Sequence, residues 1–318
     1  VIENIQAIGQ NKQEVNTHNL CLRSSSANTD TDTLFYLINF KDAGGFAIVS
    51  ADKRSNKVYA IIDEGGLDVN DLHKVTNTGF IMYMENAILS ELNTINKYDA
   101  TYDNKSVMKE KPELRYSLTE YPKIKPLLKT KWGQGYPYGE FCPNGLTGCV
   151  PTALAQIMSH IKTINKASYY SDDYVYQYTM YLIWDRIISD GENNRPYGTL
   201  NKTDNYQSSL EVAFLMRNIG DIVVANYNSD VETTANSGVA LTNMYKSGFF
   251  RKNYRYEDFD ALTAYKALAK TNLVYMDGVY GNMGHTWVID GAYSVIGGGG
   301  TWIAFYMHCN WGWDGLYD

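Results

Sequence analysis

The sequence predicts an α+β chain of two domains, and three observations carry that reading. Its 318 residues exceed the roughly 100 to 200 of one ordinary domain. Apolar, β-prone runs bounded by glycine turns occur in the same chain as segments of helical periodicity. Composition also shifts partway along, because all six Trp and three of the four Cys follow residue 131. Residues 1–121 hold 12 basic and 17 acidic side chains, a net −5, against 16 and 18, a net −2, in 122–318. Between these blocks Pro112, Pro122 and Pro126 interrupt any regular element, which predicts an exposed linker over about 100–125 and domains at 1–121 and 122–318.

In the first domain, Thr33 to Phe40 and Phe46 to Ser50 read as strands joined through Asp42-Ala43-Gly44-Gly45, and Val58 to Ile62 continues the pattern up to Gly65-Gly66. Met84, Ile88, Leu92 and Ile95 recur at helical spacing, predicting an amphipathic helix over 80–95. In the second domain Pro151, in a first-turn position, and the helix formers after it predict a helix from near Cys149 to about Ile161. His285 opens a strand through Asp290, and Gly297 to Gly300 join it to a second run, Thr301 to Cys309, as a hairpin. A turn centred on those glycines gives opposing residues a sum of about 597, which sets His285 against 310–312.

Hydrophobic residues at 44% and charged residues at 20% are those of a chain that buries a core. The net charge of −7 argues against nucleic acid as a partner. No apolar run approaches about 18 residues, so no transmembrane segment is expected. Val1 to Gln10 has neither a basic nor an apolar signal region. No Cys/His cluster has zinc-ligand spacing, and neither metal nor cofactor is expected. His18 and His73, in polar surroundings, read as surface residues, and Cys21 stands alone in its domain.

The chemistry concentrates after residue 131. A thiol at a helix N-terminus gains thiolate character from the partial positive charge there, which predicts a lowered pKa and a nucleophilic Cys149; a buried packing cysteine is the competing interpretation. Gly148 is expected to leave room for a substrate backbone. A thiol nucleophile needs an imidazole. His160 lies eleven residues along the same helix, about 16 Å away, whereas His285 stands beside a glycine loop. Asn310 is expected to accept from Nδ1–H of His285, turning Nε2 to the thiol, with Trp311 shielding that bond. His308 is the rival base. Gln134, in the Gly-rich loop before Cys149, supplies a side-chain donor that with the Cys149 backbone N–H makes a two-donor oxyanion hole. Trp287, Trp302, Trp184, Ser237 and Gly238 read mainly as packing, and Cys309 as core.

The set resembles the streptopain family of bacterial cysteine peptidases, papain-like in fold and carrying a propeptide. Trp132-Gly133-Gln134, Pro137-Tyr138, Cys142-Pro143, Thr147-Gly148-Cys149-Val150, Gly284-His285, Trp287-Val288-Ile289-Asp290-Gly291 and Asn310-Trp311-Gly312-Trp313 carry the resemblance. Gly44 to Asp52 resembles that family's propeptide. The resemblance implies a secreted or cell-envelope endopeptidase made as a zymogen, acting on protein or peptide substrates and inhibited by its own propeptide. In it Cys149 is the nucleophile, His285 the base, Gln134 the oxyanion donor, and Asn310 with Trp311 the support of His285. Gly148, Gly284 and Trp313 are the substrate-contacting positions. Pro151 departs from the small residue usual there, and the chain stops five residues after Trp313. An acyl transferase using the same Cys-His-Asn set, and a non-catalytic surface or binding protein of this fold, are the alternatives.

Overall fold

The computed structural model describes residues 2–11, 23–24, 31–51, 58–86, 121–171, 175–193, 206–280, 283–297 and 302–318. His18, Cys21, the linker over 100–120, the second half of the helix expected over 80–95 and the tip of the Gly297–Gly300 turn lie outside them. The chain divides into two compact units, Val1–Lys111 with Tyr317–Asp318, and Pro112–Leu316.

The first unit is an antiparallel sheet in the order β2-β1-β3-β4-β5, from β1 (Ile2–Asn11), β2 (Arg23–Ser24), β3 (Thr31–Phe40), β4 (Phe46–Ser50) and β5 (Val58–Ile62). Along β3, Phe35 and Leu37 are buried while Tyr36 between them is exposed, the two-residue period of a strand with one covered face. A tight turn at Lys41–Ala43 connects β3 to β4. Gly45 follows it at φ +95, where a Cβ would stand 1.9 Å from the carbonyl of Ile62, so only glycine lets the chains approach there. The helix α1 starts at 78, its first turn capped by Asn77 Oδ1, which accepts from Phe80 N at 3.0 Å. It packs Phe80 and Met84 onto Phe46, Ile48 and Ile62. The strands β1 and β2 were not legible in sequence. The apolar Ile2 and Ile5 at the start of β1 are both exposed, so that part of the strand shows no alternation of buried and exposed positions.

The second unit has a helical part and an antiparallel sheet. The helix α2 (Cys149–Ile161) begins and ends where its sequence predicts and is the core of the unit. Ten of its residues are buried, with Leu154, Ala155 and Met158 fully enclosed. A buried Leu or Met side chain contributes about 1.5 to 3 kcal/mol, so this helix is held by packing on every side. Around it stand α3 (Trp184–Asn193), α4 (Tyr206–Val223) and α5 (Ser237–Lys246), with the hairpin β6 (Lys166–Tyr170) and β7 (Gln177–Tyr181). Trp184 is in this core, its indole N–H donating to Ile164 O at 2.6 Å. No described helix is long and apolar enough to cross a membrane.

The sheet has the order β10-β9-β8, from β8 (Val274–Tyr280), β9 (Met283–Gly297) and β10 (Trp302–Asn310), with α6 (Ala261–Leu268) against it. The expected hairpin is therefore present, with a different register. A bulge between His308 and Cys309 shifts the pairing, and the ladder ends at Asn310 opposite Val288. His285 lies beyond it and pairs instead with Gly278 of β8. The stretch 121–128, expected to lie partly in a free linker, runs along β9. Ile124 exchanges backbone hydrogen bonds with Ala292 at 2.7 and 2.9 Å, and the buried carboxylate of Asp290 accepts from Leu128 N at 3.0 Å.

Candidate active site

Local backbone chemistry sets the start of α2. Gly148 precedes it at φ +82, and a Cβ there would stand 2.7 Å from Thr233 O. The residue is buried, and Thr233 packs against the position its Cβ would take. Glycine is needed for the turn and for this packing. Thr152 Oγ1 caps the Gly148 carbonyl at 2.8 Å. Thr147 donates to the Gln134 carbonyl from its backbone N at 2.9 Å and from its hydroxyl at 3.2 Å. Those bonds bring Gln134, fifteen residues upstream, onto the N-terminus of α2. Its half-buried side-chain amide has no hydrogen-bond partner among the described residues.

Asn310 is engaged elsewhere than expected. Its Nδ2 donates to Thr130 O at 2.9 Å, and its Oδ1 accepts from Gln156 Nε2 and, at 3.3 Å, from Gly312 N. Gln156 Oε1 in turn accepts from Thr130 Oγ1 at 2.8 Å. This buried amide pair ties α2, the segment entering the Gln134 loop and the end of β10 together, and it leaves no Asn310 oxygen aimed at His285.

His285 is held by Trp311 instead. Its Nε2 lies 2.9 Å from Trp311 O, and a carbonyl only accepts, so Nε2 carries the proton and Nδ1 is the basic nitrogen of the neutral ring. The expected assignment of the two nitrogens is thus reversed. The ring lies parallel to Trp287 at 6.1 Å and is flanked by Trp311 at 6.3 Å. Burial between these indoles lowers the His285 pKa to about 4, opposed by the Trp311 carbonyl and by the charge of Asp277. His308, the rival base, points its Nδ1 at the Asp290 carboxylate, 2.6 Å away, and His160 Nε2 meets Thr271 O at 2.8 Å.

The Cys149 thiol neighbours Thr286 and the backbone amides of Val150 and of Cys149 itself, polar groups that favour its thiolate. Thr286 is the neighbour of His285, so the strand carrying the imidazole is the strand that meets the thiol. The expected lowering of the thiol pKa is not observed. Burial pushes it up, outweighing all of those donors, because desolvation penalises a thiolate more than one helix terminus and a few hydrogen bonds favour it. Burial thus disfavours the charged form of both the thiol and the imidazole.

Around the sulfur stand residues that sequence reasoning did not single out. The Tyr256 and Tyr275 rings lie 5.9 Å apart by their centroids, and burial raises the pKa of both phenols. Asp277 Oδ1 accepts from Thr286 Oγ1 at 3.1 Å. The register of β8 against β9 would have revealed Asp277, but no glycine turn marks β8 in sequence as the partner of β9. Of the remaining expected positions, Gly284 is exposed, with Gly278 O 3.9 Å from its Cβ position. Trp313 is half-buried and its indole N–H has no partner among the described residues.

The profile of the peptidase C10 family matches residues 132–318. The chain belongs to the peptidase C10 family. Streptopain of Streptococcus pyogenes is 27% identical over 317 residues, covering 89% of this chain and 72% of that protein. The thiol protease/hemagglutinin PrtT of Porphyromonas gingivalis is 27% identical over 320 residues, covering 90% of this chain and 33% of that protein. The structure of a prointerpain A fragment from Prevotella intermedia has a TM-score of 0.59 at 21% identity, covering 89% of this chain and 87% of that one. The fold of this C10 family member is therefore the papain-like one, a cysteine peptidase unit of helices and antiparallel sheet preceded by a small α+β domain.

Proposed function

We propose that this cysteine peptidase is a secreted or envelope endopeptidase made as a zymogen, with Cys149 as nucleophile, His285 as base and residues 1–121 as an inhibitory proregion. The observation that carries the reading is the Trp311 carbonyl on Nε2 of His285, which commits Nδ1 to accepting a proton. In the reaction the Cys149 proton passes to Nδ1 while the sulfur attacks the peptide carbonyl. The oxyanion that forms is met by the Cys149 backbone N–H and by the Gln134 amide, which has no competing partner among the described residues. Collapse breaks the C–N bond, the imidazolium gives its proton to the leaving amine, and water then resolves the thioester through the same base.

A thiol and an imidazole whose charged forms are disfavoured suit a latent state. Transfer of the proton is uphill while burial raises the one pKa and lowers the other. Admitting water reverses both effects. Absence of the catalytic candidates and of every Trp from 1–121, and its net −5, fit a domain that covers rather than catalyses. The experiment is incubation of the native chain beside Cys149→Ala. We expect the native chain to shorten within 100–125 and the variant to stay intact, and a thiol-directed epoxide to label Cys149 after the cut. Equal processing of both chains, or labelling of other cysteines alone, overturns the reading.

A further inference from the structure

Asp277 stands on the edge strand β8, directly opposite Thr286 and one position before Gly278, which faces His285. Its carboxylate is exposed, and among the described residues no Lys, Arg or His pairs with it. What fixes it is the Thr286 hydroxyl, which donates to it at 3.1 Å, on a residue that also neighbours the Cys149 thiol. Two phenols complete the surroundings. Tyr256 is 42% exposed and its ring centroid lies 5.9 Å from that of Tyr275. On the far side Tyr256 closes over Gly238, whose Cβ position is 3.7 Å from its ring. A fixed carboxylate without a counter-charge, bordered by two phenols, is a receptor for an alkylammonium or guanidinium group. The carboxylate supplies the charge, and the exposed ring face of Tyr256 attracts a cation.

We propose that Asp277 is a specificity-determining residue that selects substrates carrying a lysine or arginine close to the scissile bond. The inference rests on Cys149 being the nucleophile and adds the substrate class. It has a consequence for the chemical step as well. The Thr286 hydroxyl has one proton, which it donates either to Asp277 or to the sulfur. A substrate cation on Asp277 takes over that carboxylate, freeing the hydroxyl to donate to the thiolate, so the cation acts on kcat as well as on KM.

The test uses the full chain after cleavage of its linker and a set of quenched-fluorescent peptides. Within the set, Lys, Arg or Glu replaces norleucine or Gln at each position flanking the scissile bond in turn. The native enzyme is expected to prefer the basic residue at one position by about tenfold or more in kcat/KM, a factor of ten corresponding to about 1.4 kcal/mol. Asp277→Asn should bring that ratio to within about twofold of unity, and Asp277→Lys should invert it in favour of Glu at the same position. Because the readout is a ratio within each variant, a general loss of rate does not blur it. Equal kcat/KM for basic and neutral peptides at every position in the native enzyme, or an unchanged ratio in Asp277→Asn, overturns the inference while leaving the peptidase reading intact. No hydrolysis together with no epoxide label on Cys149 overturns both.

Discussion

Cys142 and Cys149 lie seven residues apart on either side of one turn, and in both the thiol pKa is raised by burial. They differ in what could undo that. Cys142 is buried in the turn between Gly139 and Gly145, with Tyr227 Oη 4.0 Å from its sulfur and the Arg217 guanidinium wedged between the rings of Tyr169 and Tyr227 at 5.5 and 5.3 Å. Its pKa is pushed up to about 11 even though Arg217 pulls the other way. A nearby cation is thus not enough to make a thiol reactive when desolvation dominates. Cys149 keeps some exposed surface and neighbours Thr286 and the backbone amide of Val150. Exposure to water would relieve the desolvation that raises the Cys149 pKa, and those neighbouring groups favour its thiolate.

The largest effect that can break this contrast is at Cys149 itself. Cys149→Ala should lower peptide hydrolysis by on the order of a thousand-fold or more, whereas Cys142→Ser should keep the rate within about threefold; a steady-state assay of the processed chains decides it, and comparable losses would erase the distinction. Next in size, Gln134→Ala should lower kcat by about 100- to 1,000-fold with little change in KM, as for removal of one oxyanion donor. A change confined to KM would mean that the amide only binds substrate.

A third prediction concerns acid stability and sharpens the account of burial. The folded pKa of His285, about 4, lies below its ordinary value of 6.5. Between those values the unfolded chain binds a proton that the folded chain does not, so stability rises with pH across the window and is lost on acidification from about 6.5 to about 4. The loss is of order 3 kcal/mol. His285→Asn should flatten that slope in denaturant titrations run at successive pH values, and an unchanged slope would show that other groups set it. The smallest effect is on Cys142, where exchange for Ala should cost about 1 kcal/mol of stability with no change in epoxide labelling at Cys149. A thermal melt and an intact-mass measurement report the two.

Much of this was legible because it depends on residues close together in the chain. The limits of α2 follow from a glycine, a first-turn proline and a run of helix formers, and the hairpin of β9 and β10 from four glycines between two apolar runs. The wrong parts share one cause. Asn310 and His285 were paired by counting back from the turn, but the strands pair with a sum of 599 from the turn and 598 beyond the bulge at His308/Cys309, so Asn310 meets Val288, and its side chain bonds Gln156, 154 positions away. The lowered thiol pKa failed similarly, because a helix terminus is a local feature whereas desolvation depends on everything packed around the sulfur.

The sequence by itself determined the two-part composition, the helix that presents Cys149, the strand that opens with His285 and the order Gln134, Cys149, His285, Asn310, because turn chemistry and periodicity act over a few residues. Only the tertiary structure decided which nitrogen of His285 is basic, that Asn310 is a crosslink between α2 and the end of β10, and that Thr286 hydrogen-bonds Asp277 across the β8–β9 ladder. Those facts depend on strand register and burial, and both are set by contacts between residues far apart in the chain.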